Sequence, residues 1–162
     1  MAEQSPSLDE LDLALLTALR EQPRAGALEL SRLLRVARAT VSARLRRLEE
    51  GGVITGYTAQ VDPHRYGYGL SAYVHLKIAQ PAWKQLRTRL MTIAEVEHAA
   101  LVSGDSDIVL LVRTRDIATL RELVLNSFQN MPEVLSTQTV LIFDDLRNTR
   151  HNRSLIAGGM AG

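Results

Sequence analysis

Apolar positions change their period along the chain, and the changes mark out its elements. Leu8, Leu11, Leu15 and Leu19 recur at steps of three and four, as one face of an α-helix does, and Pro23 closes the run. Ser7 to Glu10, SLDE, matches a capping box, in which a serine hydroxyl and a glutamate satisfy each other's backbone N–H groups, so the helix is expected to start at Leu8. A second short helix carries Leu30, Leu33 and Leu34. A third, about Arg38 to Glu50, carries Val41, Leu45 and Leu48 on one face, and Arg35-Val36-Ala37 joins the two. Helices this short do not hold together alone in water. The leucine stripe of the first helix should therefore pack on Leu30, Leu33, Leu34, Leu45 and Leu48 as a three-helix core.

After Gly51-Gly52 the period falls to two, and Val53 to Val61 reads as a strand leaving the helical part. Asp62-Pro63, Gly67 and Gly69 around Tyr66 and Tyr68 read as a turn-rich linker. Beyond it, Leu70 to Ala79 alternates, with Ala72, Val74, Leu76 and Ile78 on one face. Pro81 suits a first helical turn, followed by Trp83, Leu86, Leu90 and Ile93 at helical spacing. Strands are expected at Val96–Val102 and Asp107–Arg115, a helix capped by Asp116 with Ile117, Leu120, Val124 and Phe128 inward, and a last strand at Val134–Phe143. Strand, helix, strand, strand, helix, strand is the ferredoxin-like βαββαβ arrangement, with both helices on one face of an antiparallel sheet. The fold class is thus α+β: an N-terminal three-helix helix-turn-helix domain at 1–60, a linker at 61–69 and a ferredoxin-like domain at 70–146. The tail at 147–162 carries Arg147, Arg150, His151 and Arg153, and disorder is expected beyond Leu155. The sheet face left without helices needs burial, so self-association as a homodimer is expected.

Charge sharpens the picture at one place. The whole chain is near neutral, with 19 basic and 18 acidic residues, so any affinity for nucleic acid must come from local separation of charge. Between Leu30 and Leu48 stand Arg32, Arg35, Arg38, Arg44, Arg46 and Arg47 with no acidic residue among them. A helix of this kind fits the major groove of double-stranded DNA, where arginines and short polar side chains reach base edges and phosphates. Arg38, Thr40, Ser42, Arg44, Arg46 and Arg47 are the candidate DNA-binding residues. The competing reading is a solvated basic helix face.

Other chemistries find little footing. There is no cysteine, which removes disulfides, cysteine-ligated zinc and a thiol nucleophile. His64, His75, His98 and His151 have no acidic residues at metal-ligand spacing, and no nucleophile–base set, phosphate loop or pair of catalytic carboxylates can be argued from spacing. Neither a catalytic nor a metal site is assigned, and no cofactor is expected. With a polar start, MAEQSPSLDE, and no apolar run of roughly 18 residues, a cytoplasmic protein without membrane association is expected.

Several motifs stand in a specific order: LDELD at Leu8 to Asp12, LSRLL at Leu30 to Leu34, RLRRLEEGGVITGYTAQVDP at Arg44 to Pro63, and LVSGDSD at Leu101 to Asp107. Over Leu8 to Asp145 the chain resembles the Lrp/AsnC (leucine-responsive, feast/famine) family of transcriptional regulators. The resemblance implies DNA binding through the helix-turn-helix, dimers through the sheets, and tetramers or octamers built from them. Taken alone, Ser103 to Asp107 is an ordinary hairpin turn. The resemblance implies instead that Leu101, Ser103, Gly104, Asp105 and Asp107 line an amino-acid effector site between neighbouring dimers. Thr137 and Thr139 on the last strand are candidates for further polar lining, and β-branched residues filling a strand are the competing reading of both. Backbone N–H groups at a glycine would receive the α-carboxylate, and an aspartate the α-ammonium. Two positions depart from the family pattern. Its turn before the recognition helix is usually Gly-Leu-Ser, whereas here it is Arg35-Val36-Ala37, so Arg35 is expected to carry strain. Ser106 stands where relatives often have a larger residue, which bears on ligand preference. Two alternatives remain open at this point: an architectural DNA-compacting protein without an effector, and a haem-precursor decarboxylase-like enzyme on the same fold.

Overall fold

In the computed structural model, which describes residues 7–79 and 83–145, the first helix, α1 (Glu10–Glu21), starts later than the SLDE motif suggests. Its N-cap is Asp9, not Ser7. The Asp9 carboxylate accepts the Asp12 N–H at 2.9 Å, and the Asp12 carboxylate accepts the Asp9 N–H at 3.0 Å, a reciprocal box made of two aspartates. Ionised carboxylates accept more strongly than a hydroxyl and sit favourably at the positive end of the helix dipole, which explains why Asp-x-x-Asp prevails over Ser-x-x-Glu. Leu8, outside the helix, is exposed rather than part of the core.

Two further helices follow, α2 (Ala27–Leu34) and α3 (Arg38–Glu50). Leu15, Ala18, Leu30 and Val41 form the buried core, with Leu11, Leu19, Leu34 and Leu45 packed around it. Leu48 is buried as well. Leu33 departs from the expected core and is half exposed, because it lies about 100° around α2 from Leu34. The turn between α2 and α3 puts Arg35 in the left-handed region, with φ 55° and ψ 41°. It is the one non-glycine residue at positive φ among those described. Ala37, the N-cap of α3, offers no side-chain hydrogen bond to the helix.

The strand expected at Val53–Val61 does not form. Val53 and Ile54 instead direct their N–H groups to the Leu48 carbonyl, at 2.9 and 3.0 Å, and wrap the end of α3. A period of two makes a strand only where a neighbour supplies a ladder, and no described residue before Leu70 lies in a strand.

The chain divides into two compact units, Met1–Gln60 and Val61–Gly162. The second begins with a turn in which the Asp62 carboxylate accepts the N–H groups of His64 and Arg65, at 2.9 and 3.2 Å. It then passes through Gly69, where a Cβ would lie 2.4 Å from the carbonyl oxygen of Arg115. Strand β1 (Leu70–Ile78) leads to α4 (Trp83–Leu90), β2 (Val96–Leu101), β3 (Ile108–Thr114), α5 (Ile117–Glu122) and β4 (Val134–Ile142). All pairings are antiparallel in the order β2-β3-β1-β4, the ferredoxin-like topology. Pro81 and the tail lie outside the described residues.

Leu86 and Leu90 of α4, together with Leu120, Leu123 and Phe128, cover Ala72, Val74, Leu76, Ile78, Ile108, Leu110 and Val112 in one core. After Glu122 the helix widens into a π-helical stretch, Leu123–Phe128. Leu123 and Phe128 are five residues apart, one π turn, and both are buried. The widening moves Val124 to the margin, and Ile117, expected inward, is exposed at the helix start. On the opposite sheet face lie Tyr73, His75, Val109, Leu111 and Val140, the cross-strand neighbours left without a helix. Among them stands Arg113, nearly buried, paired with Glu97 and Asp145 and donating to Ser71.

Candidate DNA interface and effector loop

Of the six residues proposed for DNA, five are exposed on α3 and Arg44 is half-buried. Arg38, Thr40, Ser42 and Arg46 are exposed, and no ion pair engages Arg38 or Arg46 among the described residues. Arg47 is exposed as well, but it and Arg44 carry ion pairs. Arg44 pairs with Asp9 and, at 3.1 Å, with Asp12; Arg47 pairs with the other oxygen of Asp12. The Asp12 side chain is fully buried. Burial pushes its carboxyl up, but the Asp9 N–H and the guanidinium groups of Arg47 and Arg44 outweigh that, and hold the pKa at about 2. Arg44, in turn, holds the Asp9 carboxyl below its usual range. Charge patterning alone missed this cluster. The signal was present all the same, because two aspartates three apart on one helix match two arginines three apart on another.

The hairpin between β2 and β3 keeps Leu101, Ser103, Gly104 and Asp105 exposed and contiguous. Gly104 has φ 122° with open space where a Cβ would be, so backbone conformation, not crowding, sets the need for glycine. Asp107 is differently placed. One carboxylate oxygen accepts the Ile78 N–H at 2.9 Å, the other meets Lys77 Nζ at 3.2 Å, and its own N–H reaches the Leu76 carbonyl at 2.9 Å. The Ile78 N–H, with Lys77 beside it, holds the Asp107 carboxyl below its usual range. Ser106 Oγ lies 3.2 Å from His75 Nδ1, a second tie between loop and β1. Thr137 and Thr139 are on β4, which β1 and β3 separate from β2. The Thr137 hydroxyl accepts from Gln129 Nε2 at 2.9 Å. One chain thus brings the five hairpin residues together and leaves the two threonines at the other edge. No group of three or more metal-ligating side chains occurs among the described residues.

Comparison with known proteins fits this layout. Residues 8–55 match the winged helix-turn-helix DNA-binding family, and residues 71–151 match the Lrp/AsnC ligand binding domain. The chain belongs to the Lrp/AsnC family. Among its Lrp/AsnC relatives, the HTH-type transcriptional regulator AldR of Mycolicibacterium smegmatis is 33% identical over 86% of this chain and 84% of its own length. The leucine-responsive regulatory protein of Escherichia coli is 30% identical over 92% of each chain. The solved leucine response regulatory protein of Mycobacterium tuberculosis superposes with a TM-score of 0.80 at 30% identity, covering 90% of this chain and 99% of that one. A transcriptional regulator of Neisseria meningitidis, solved as a complex with L-methionine, shares the fold at a TM-score of 0.80 and 24% identity, over 88% and 94% of the chains. The protein is therefore an Lrp-type transcriptional regulator with a helix-turn-helix and a ligand-binding domain. No described helix is long and apolar enough to cross a membrane.

Proposed function

We propose that this Lrp/AsnC protein reads double-stranded DNA with the outer side of α3, works as a homodimer or larger even-numbered assembly, and answers to an amino acid held at the β2–β3 hairpin. The observation that carries the reading is the joint exposure of Arg38, Thr40, Ser42 and Arg46 on α3, with neither arginine engaged in an ion pair among the described residues. A guanidinium donates in a fork to guanine or phosphate, and short hydroxyls at the helix start discriminate bases. The effector part rests on the hairpin backbone at Gly104 and on the exposed Asp105 beside it. Asp105 takes the role of ammonium acceptor, because Asp107 already spends both oxygens on β1. The amino-acid class is supported by the leucine-responsive relative. Self-association is supported by Tyr73, Leu111 and Val140 on the sheet face without helices. Relatives that are transcriptional regulators support a non-enzymatic role.

The test uses the full chain and a labelled duplex that it selects from a random-sequence pool. Thermal unfolding is scanned against the standard amino acids, and duplex affinity is then measured with and without each amino acid that raises the midpoint. One amino acid should stabilise the protein and shift duplex affinity or assembly, since an effector must bind two states differently. If no duplex is enriched, the DNA reading falls; if no amino acid alters stability, affinity or assembly, the effector reading falls.

A further inference from the structure

Within α1 and α3, two carboxylates and two guanidinium groups form a closed, formally neutral set: Asp9, Asp12, Arg44 and Arg47. Asp12 is its centre. One oxygen accepts from Arg44, and the other accepts from Arg47 and from the Asp9 N–H. The side chain is fully buried, so this hydrogen bonding has no water to replace it. Arg44 and Arg47 are three residues apart on α3, nearly one helical turn. Two attachment points along a helix fix its rotation as well as its distance from α1; a single apolar contact would fix only the distance. The apolar side, where Val41 packs with Leu15, Ala18 and Leu30 and Leu45 lies at the margin, is non-directional, and the ion pairs add a directional constraint to it.

We infer that Asp12 is a positioning residue for DNA recognition: through Arg47 and Arg44 it sets the rotation of α3, and it withdraws those two arginines from phosphate, leaving Arg38 and Arg46 to make the contacts. This rests on the reading of α3 as the recognition helix. The basic block therefore has two populations. Arg46 and Arg47 are adjacent in sequence yet about 100° apart around the helix; both are exposed, but Arg47 is paired with Asp12 and Arg46 has no ion pair among the described residues. Specificity depends on rotation, since hydrogen bonds to base edges fail with small angular errors whereas contacts with phosphate tolerate them.

The experiment compares Arg46→Ala, Arg47→Ala and Asp12→Asn in the full chain, at a temperature where circular dichroism shows each folded. Affinity for the self-selected duplex and for a scrambled duplex is measured across a salt series. Arg46→Ala should lower the slope of log affinity against log salt by about 1 per bound subunit, as loss of one phosphate contact does. Arg47→Ala should leave that slope unchanged and reduce the selected-to-scrambled affinity ratio at least about fivefold. Asp12→Asn should reduce the ratio further. A purely structural cluster would lower the amount of folded protein equally for both duplexes and leave the ratio alone. Arg47→Ala keeps Arg44 on Asp12, so it remains decisive should Asp12→Asn fail to fold. If Arg47→Ala lowers the slope as Arg46→Ala does, Arg47 is a phosphate contact and the inference is overturned while the DNA reading stands. An unchanged ratio in Arg47→Ala also overturns it. If Arg46→Ala changes neither slope nor affinity, the docking of α3 itself is wrong.

Discussion

Arg47 reaches from α3 to the buried carboxylate of Asp12 on α1, so part of the basic surface of α3 serves to hold the domain together. The same pair makes stability depend on acid. Asp12 has a folded-state pKa of about 2 against an ordinary 3.8. A lowered pKa stabilises the fold above the unfolded value, and the contribution is lost as pH falls from about 3.8 through about 2. It is worth roughly 2 kcal/mol. Urea unfolding at a series of pH values should show this loss in the wild type and a much flatter profile for Asp12→Asn. At neutral pH that variant should be destabilised by about 3 kcal/mol, as for a buried ion pair that loses one partner.

The turn before α3 can be improved. Arg35 holds φ 55° at a cost that glycine avoids, and Ala37 leaves the first N–H groups of α3 without a side-chain acceptor. Arg35→Gly should stabilise by about 0.5–1 kcal/mol after allowing for the greater freedom of glycine in the unfolded chain. Ala37→Ser should add about 1 kcal/mol. Both are read as higher midpoints in thermal unfolding, and a fall in either would contradict this account of the turn.

At the hairpin, two aspartates should separate by phenotype. Asp107→Ala removes the acceptor for the Ile78 N–H and for Lys77, so hydrogen exchange at Ile78 should accelerate and stability should fall. Asp105→Ala should leave stability alone and weaken amino-acid binding about tenfold to a hundredfold, the worth of one charge-assisted hydrogen bond. Calorimetric titration decides: equal affinity in wild type and Asp105→Ala would assign the ammonium to another group.

Light scattering after size exclusion should give a dimer or an even multiple of it. Val140 lies beside Tyr73 on the sheet face without helices. Val140→Asp should leave circular dichroism intact and yield a monomer at micromolar concentration, since a carboxylate in an apolar interface has no partner. A variant that keeps its mass would move the interface off this face.

Periodicity carried most of the fold. The strands β2, β3 and β4 end within one residue of the bounds expected from the apolar pattern. It failed where the deciding partner lies outside the window. Val53–Val61 has a strand's pattern without a neighbouring strand, and the start of α1 was settled by carboxylates competing with a hydroxyl. The spacing of five from Leu123 to Phe128 is invisible to a search at 3.6. Among the candidate site residues, exposure of Arg38 and Arg46 agreed with a simple charge reading, but Arg44, Arg47 and Asp107 are engaged by partners 29 to 35 residues away. A charge tally counts such residues without seeing what they face.

Gly69 sets a limit of another kind. Its α-carbon stands against the Arg115 carbonyl so closely that the smallest side chain would collide with backbone at 2.4 Å. Every base change in a glycine codon that substitutes another amino acid adds at least that one carbon. The position therefore discriminates by volume and not by chemistry, and mutational scanning should find alanine there tolerated no better than aspartate.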